Sequence, residues 1–314
     1  MRYWILASSV TFSSFAIGLA LLSAVEATLV ALVARSLARR PSASRASAFL
    51  ALRLFPAAGA LAFAAALVLP TFLYYEPSHT DEPLRRTMAA VAAIGIVLLA
   101  RAVWRVASTW IATRRLARRW LRSGRPIAGL APGLPAFVID EPFPTVAVVG
   151  CVRPSLFVSD RVFEECTADE VRAMVSHERA HVASRDNLKR LLLRACPGLP
   201  FGARLDSAWS AAAEEAADAA AAASDPDRRL DLANALIRLA RLAPEPNLPA
   251  GVSAFYHGGS IETRVRLLLE PPVPAARRHE RLMAVLACAT LALAFVVSAP
   301  AIHAAMEALV RLLP

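Results

Sequence analysis

Long apolar runs constrain this chain more than any other feature of its sequence. Residues 3–34 are almost uninterrupted apolar sequence, and further runs cover residues 49–75, 87–110 and 282–299. A helix of about 20 apolar residues suffices to cross a bilayer. The third run reaches that length only if its arginines extend their charged ends to the interface. With 57% hydrophobic and 19% charged residues, the composition excludes an ordinary soluble domain and indicates a membrane protein.

The apolar runs divide the chain into three parts. We predict three membrane helices in residues 1–113, a polar domain in residues 114–280, and a fourth membrane helix with a short tail in residues 281–314. The first run lacks a small-residue cleavage site followed by a polar domain, which favours a retained helix over a signal peptide. The expected fold class is mainly α, with four transmembrane helices and an α+β domain inserted between the third and the fourth.

Arginine placement predicts the orientation, because Lys189 is the only lysine. The loop after the first run carries four arginines and no acid, and arginine clusters also flank the polar domain. By the positive-inside rule this domain is cytoplasmic and both termini are extracytoplasmic, in a bacterial inner (plasma) membrane. The pI of about 10.6 could also indicate nucleic-acid binding. The arginines lie where they contact anionic headgroups, however, so we expect no direct nucleic acid binding.

The polar domain contains two histidines four residues apart, His177 and His181. On a helix they lie one turn apart on the same face, where they can hold a metal ion. A catalytic Zn²⁺ keeps three protein ligands and an open position for water, over which Glu178 would act as general base. The alternative is that the three residues only decorate a solvated helix face, because short motifs match by chance.

The flanking sequence predicts the helix that this motif requires. Thr167 and Glu170 have the spacing of a capping box, and apolar residues recur after them at helical intervals. Pro197 and Gly198 end the predicted helix.

A second helical pattern covers residues 205–224 and contains Glu214 and Asp218 on one face. Their spacing suits a third zinc ligand and a carboxylate that holds a ligand histidine by its other ring nitrogen. Taken alone, acids in an alanine-rich helix more often form a solvated face. Here the helix follows the histidine pair after a turn that lets it fold back, and this position supports a role of the two acids in the metal site.

Three short strands are predicted before the histidine helix, at residues 136–139, 145–149 and 156–159. A sheet in this place could offer an edge strand to an extended peptide. Packing alone would also explain it.

The combination of segments resembles a known family. VSHERAHVASRDN, AEEAADAA and TVAVVGCVRPSLFVSD, with three apolar runs before them and one after, are similar to the BlaR/MecR-type antirepressor family of integral-membrane zinc metallopeptidases. The resemblance covers nearly the whole chain. It implies a zincin-like domain of the gluzincin type with Zn²⁺ as cofactor. It assigns the zinc ligands to His177, His181 and Glu214, the catalytic base to Glu178, and supporting contacts to Asp218 and Asp186.

The implied reaction is peptide-bond hydrolysis, in which Glu178 removes a proton from water and passes it to the leaving amine. The tetrahedral oxyanion needs a donor as well. Tyr256 or His257 could supply it, and we assign His257 as a second catalytic residue, although a Tyr-His pair in a loop is more often structural.

Two features depart from the family pattern. Arg179 places a charge between the histidines, where uncharged residues are usual, and we expect it to point away from the metal. Members that sense β-lactams carry an extracellular penicillin-binding domain after the fourth span, whereas this sequence ends at Pro314. A single lysine at Lys189 also precludes an extracellular Ser-x-x-Lys motif. We therefore expect a variant without the sensor domain.

The leading hypothesis is a membrane zinc endopeptidase in regulatory signal transduction. Its expected partners are the lipid bilayer and a cytoplasmic or membrane-adjacent protein substrate, either a helix-turn-helix transcriptional repressor or the chain itself. One alternative is a non-catalytic signalling or scaffold protein that binds a partner through a metallopeptidase-like domain. Another is a membrane metalloprotease of the heat-shock HtpX type, for which a different arrangement of spans is expected. The sequence does not determine the oligomeric state.

Overall fold

The computed structural model describes residues 2–76, 85–197, 202–222, 225–242, 252–254 and 260–270. The chain divides into two compact units. The first comprises Met1–Ala34, Leu54–Ala102 and Ala275–Pro314, and the second comprises Arg35–Arg53 and Val103–Pro274. The predicted fourth span and His257 lie outside the described residues, so both stay predictions, as do the domain boundaries.

Long helices dominate the first half of the chain. They are α1 (Arg2–Ala38), α2 (Ser42–Phe63), a π-helical turn (Ala64–Val68), α3 (Leu69–Tyr75) and α4 (Arg86–Ser123). Three stretches are long and apolar enough to cross a membrane: Tyr3–Ala38, Ser42–Tyr75 and Arg86–Ser123. The protein is therefore a multi-pass membrane protein with three candidate spans, as the apolar runs predicted.

Local chemistry explains how these helices bend and pack. The π-helical turn directly precedes Pro70 in α3, where a missing backbone N–H interrupts the regular hydrogen-bond ladder. Gly95 on α4 lies against the backbone of Phe12 on α1, and a Cβ atom at this position would collide with the Phe12 carbonyl oxygen. Close approach at a small residue is the usual way in which membrane helices associate.

The second unit contains a five-stranded sheet. Its strands are β1 (Arg125–Pro126), β2 (Ala136–Ile139), β3 (Val146–Val149), β4 (Ser155–Ser159) and β5 (Val252–Ala254), in the order β1-β2-β4-β3-β5. β2 runs parallel to β4, and the other neighbouring strands are antiparallel. The three predicted strands are confirmed. β3 is not an edge of the described sheet, because β5 pairs with it, and binding of a peptide to an edge strand stays a prediction.

Helices surround this sheet. They are α5 (Asp160–Glu165), α6 (Ala168–Ser184), α7 (Asp186–Ala195), α8 (Gly202–Ala222), α9 (Pro226–Leu242) and α10 (Ile261–Leu269). Side chains alternate along β3, so Val146 and Val148 join the core formed with α6, α8 and α9. Val149 belongs to a second core that contains Trp120 near the end of α4. Both faces of the sheet are thus covered, which fixes α6 against β3.

The helix of the histidine pair begins as predicted but ends earlier. The Thr167 hydroxyl accepts a hydrogen bond from the Glu170 N–H, and the Glu170 carboxylate accepts one from the Thr167 N–H, which is the predicted capping box. The predicted continuation to Pro197 is wrong, because α6 stops at Ser184. Arg185 adopts a left-handed conformation with φ 56°, which ends the helical ladder. A separate helix, α7, then starts at Asp186.

Candidate metal centre

Helices α6 and α8 bring three ligand atoms together. His177 and His181 lie one turn apart on α6, with their Nε2 atoms 3.1 Å apart. The Oε2 atom of Glu214, on α8, lies 3.3 Å from the Nε2 of His177 and 3.5 Å from that of His181. All three side chains are buried. The structure thus forms the histidine-histidine-glutamate set that the sequence predicted.

The dimensions of this triangle fit zinc. Two ligand atoms at about 2.0 to 2.1 Å from a tetrahedral Zn²⁺ ion lie about 3.3 Å from each other. The observed separations of 3.1, 3.3 and 3.5 Å match this edge length. Oε2 of Glu214 is also buried and faces the ring nitrogens of both histidines, and a bound cation would stabilise a carboxylate buried in this way. The donor set of two imidazoles and one carboxylate is typical of a catalytic zinc site.

Two carboxylates orient the histidines. Asp218 Oδ1 lies 2.8 Å from Nδ1 of His177, and Asp186 Oδ2 lies 2.8 Å from Nδ1 of His181. A carboxylate at Nδ1 fixes the tautomer that leaves Nε2 available to a metal. The structure therefore places Asp186 and Asp218 where the predicted supporting role requires them. The break at Arg185 is what turns Asp186 back toward His181.

Two arginines form ion pairs with the carboxylates of Asp218 and Glu214. Arg264 on α10 donates from Nε and Nη2 to the two oxygens of Asp218, both at 2.7 Å, and its Nη1 lies 3.4 Å from Oε2 of Glu214. Arg190 on α7 donates to Oε1 of Glu214 at 2.9 Å. Sequence reasoning assigned no defined role to Arg264 and did not single out Arg190. Arg190 could not be recognised because the separate helix that carries it was not predicted.

These contacts lower the pKa values of Glu214 and Asp218. Burial alone would raise the pKa of Glu214, but the charges of His181 and Arg264 and the histidine hydrogen bonds outweigh it and hold the pKa well below its ordinary value. Burial also opposes ionisation of Asp218, yet the Arg264 guanidinium lowers the pKa of that carboxyl. Both acids are therefore anionic at neutral pH, as a cation site requires.

Glu178 has a different environment. Its side chain is fully buried, and Oε2 accepts a hydrogen bond from the Val148 N–H on β3 at 3.2 Å. Oε1 receives no hydrogen bond from the part of the chain that the structure describes. Burial raises the pKa of Glu178 to about 7. A carboxyl with a pKa near neutral is suited to accept and return a proton.

Asn187 fixes β3 next to this carboxylate. Its side-chain amide donates to the carbonyl oxygens of Val148 and Gly150 at 3.1 and 3.2 Å. The N–H and the carbonyl of Val148 are thus both held by side chains of the helices that form the metal site. Arg179, by contrast, is exposed, as its predicted orientation away from the metal requires.

Comparison with known proteins gives an independent result. Residues 136–243 match the model of peptidase family M48, and this segment is about a third of the chain. No curated protein matches the sequence. The matched segment begins at β2, ends just beyond α9, and contains all three ligands of the cluster. The match does not extend to the BlaR/MecR subgroup, which stays a prediction.

Proposed function

We propose that this membrane protein, whose residues 136–243 match the model of peptidase family M48, is a zinc endopeptidase that cuts a cytoplasmic or membrane-adjacent protein in a regulatory pathway. One observation carries the proposal: three buried ligand atoms lie 3.1 to 3.5 Å apart, beside a buried glutamate, in a chain with three candidate membrane spans. The site supplies the chemistry, and the spans keep it close to the membrane.

Each residue has a defined role in the proposed reaction. His177, His181 and Glu214 would hold the zinc ion, which would supply Lewis-acid chemistry toward the scissile carbonyl and the attacking water. Glu178 takes the proton of the attacking water and returns it to the leaving amine. Burial in the metal-free fold raises the pKa of this carboxyl to about 7, which favours uptake of a proton near neutral pH. Asp186 and Asp218 keep the imidazoles in one tautomer, and we propose His257 as the oxyanion donor.

The proposed family type and substrate rest on the sequence resemblance. We propose a BlaR/MecR-type antirepressor peptidase whose substrate is a helix-turn-helix repressor or the chain itself. The predicted division into residues 1–113, 114–280 and 281–314 supports this assignment. We propose that the middle segment is cytoplasmic and that both termini are outside. Arginine clusters at the membrane flanks support the orientation. Reporter fusions at both termini test it, since reporters active only outside the cytoplasm must work at both ends.

A comparison of cleavage products tests the enzyme proposal. Cells that express the wild-type protein are compared with cells that express Glu178→Gln, and new protein N-termini are identified in both. We expect N-termini that depend on Glu178, including one from a membrane-proximal regulator or from this chain. Equal sets of N-termini, together with equal regulatory phenotypes, would instead support the non-catalytic scaffold.

A further inference from the structure

The zinc-ligand helix α8 is held at two points by arginines of α2. At the first point, Arg53 donates from Nε to Oδ1 of Asp206 at 2.9 Å and from Nη2 to the carbonyl oxygen of Pro197 at 3.0 Å. Its side chain is only 4% exposed. A buried arginine is costly unless its donors are satisfied, so this contact is specific to the folded arrangement.

The backbone of α8 is shaped to accept Arg53. The helix begins at Gly202, and a Cβ atom there would lie 2.8 Å from Nη2 and 2.9 Å from Cζ of Arg53. Any larger residue would therefore push the guanidinium out of its place. The Asp206 carboxylate, the Pro197 carbonyl oxygen and Gly202 together form the binding pocket of the Arg53 guanidinium.

The second contact lies next to a zinc ligand in the sequence. Arg45 forms an ion pair with Glu215, the residue that follows the zinc ligand Glu214. The two arginines are eight positions apart, and Asp206 and Glu215 are nine positions apart. These spacings correspond to about 12 and 13.5 Å along a helix. Since Arg45 meets the later position and Arg53 the earlier one, the two helices run antiparallel along this stretch.

We propose that Arg45 and Arg53 are positioning residues for the zinc site. They fix the axial position of α8, and thereby the distance of Glu214 from His177 and His181 on α6. The N-terminal half of a candidate membrane span is in this way part of the support of the metal centre. The inference requires only zinc binding and does not depend on the substrate.

Charge exchange tests the contact with Arg45. Zinc affinity of the detergent-purified full chain is measured by competition with a chelator for Arg45→Glu, Glu215→Arg and the double variant. We expect each single variant to bind zinc about 10- to 100-fold more weakly, the loss usual for contacts that orient a ligand. The double variant restores the ion pair in reverse and should recover most of the affinity.

Gly202→Ala provides a second test that leaves every charge in place. We expect the added methyl group to displace Arg53 and to weaken zinc binding in the same direction. Arg125→Glu is the matched control, because it breaks an ion pair of Arg125 with Asp160 that does not involve α8. Its zinc affinity should equal that of the wild type.

Two results would overturn the proposal. In the first, the variants lose thermal stability while zinc affinity stays at the wild-type value, which would make the arginines anchors of the fold and nothing more. In the second, the double variant binds zinc as weakly as the single ones. If a charge-reversal variant does not fold, Gly202→Ala decides the question by the same measurement.

Discussion

The membrane helices and the metal centre distribute their side chains in opposite ways. Along α1 and α4, large apolar residues such as Leu32 and Trp104 are 74% and 73% exposed. In the second unit, the metal site contains buried ionisable residues: His177, Glu178, His181, Asp186, Glu214, Asp218 and Arg264. The first pattern is stable because lipid is the expected solvent. The second is stable because the buried acids other than Glu178 lie against histidines or arginines.

This contrast implies that the two regions tolerate change differently. A truncated apolar side chain at the lipid-facing surface loses few protein contacts. Removal of one charge from the metal centre leaves its partner buried without compensation.

Glu178→Gln should have the largest effect, and it should act on the reaction alone. The amide keeps the size of the side chain but cannot accept the proton, so peptide hydrolysis should fall about 10²- to 10⁴-fold. Zinc content should stay at the wild-type level, because Glu178 is not one of the three clustered ligand residues. Hydrolysis at a rate near that of the wild type would exclude Glu178 as the base.

Arg264→Met should have the largest effect on stability. It removes both hydrogen bonds to Asp218 and leaves that carboxylate buried without its cation, which typically costs about 3 to 5 kcal/mol. Chemical denaturation of the zinc-loaded protein in detergent measures the loss. Leu32→Ala is the control from the membrane region and should cost less than about 0.5 kcal/mol. Equal losses in the two variants would contradict the contrast between the regions.

The buried Glu178 also predicts a dependence on pH. In the metal-free fold its pKa is raised from 4.5 to about 7, so the folded protein holds this proton more tightly than the unfolded chain. The contribution of Glu178 to stability should therefore fall as pH rises from about 4.5 to about 7, by roughly 3 kcal/mol.

Denaturation of the metal-free wild type and of metal-free Glu178→Gln, at several pH values, measures this contribution by difference. The oppositely shifted acids of the site are present in both proteins and cancel in the comparison. Parallel stability curves would show that Glu178 is solvated in the metal-free fold.

Arg190→Gln should have the smallest of these effects. Arg190 holds Oε1 of Glu214, so Oε2 faces the histidines, and loss of this contact should weaken zinc binding about 10- to 100-fold. Arg194→Gln changes an exposed arginine on the same helix and should leave the affinity unchanged. Restoration by Arg190→Lys would indicate that the charge matters more than the geometry of the guanidinium group.

The parts that could be predicted from sequence are those with local patterns. The apolar runs predicted the candidate spans, and the spacing of Thr167 from Glu170 predicted the start of α6. The four-residue spacing of His177 and His181 predicted their shared face. Glu214 was identified because a second helical pattern followed at a suitable distance. Each of these signals lies within one helix or within one short segment.

The missed features depend on contacts that no local pattern reveals. The break at Arg185 was not recognised because an arginine is an ordinary helix residue. The residues after the turn make long-range contacts, such as the hydrogen bonds of Asn187 to Val148 and Gly150, that no local pattern reveals. Arg190 and Arg53 gain their partners only when distant helices come together. The pairing of β5 with β3 joins strands about 100 residues apart, a separation at which sequence alone gives no register.

The decisive measurement is the zinc content of the detergent-purified protein. We expect close to one zinc per chain in the wild type and in Glu178→Ala, and almost none in His177→Ala, with all three proteins folded. A folded wild-type protein that binds no zinc, or a His177→Ala variant that keeps it, would contradict the assignment of His177, His181 and Glu214 as the metal centre.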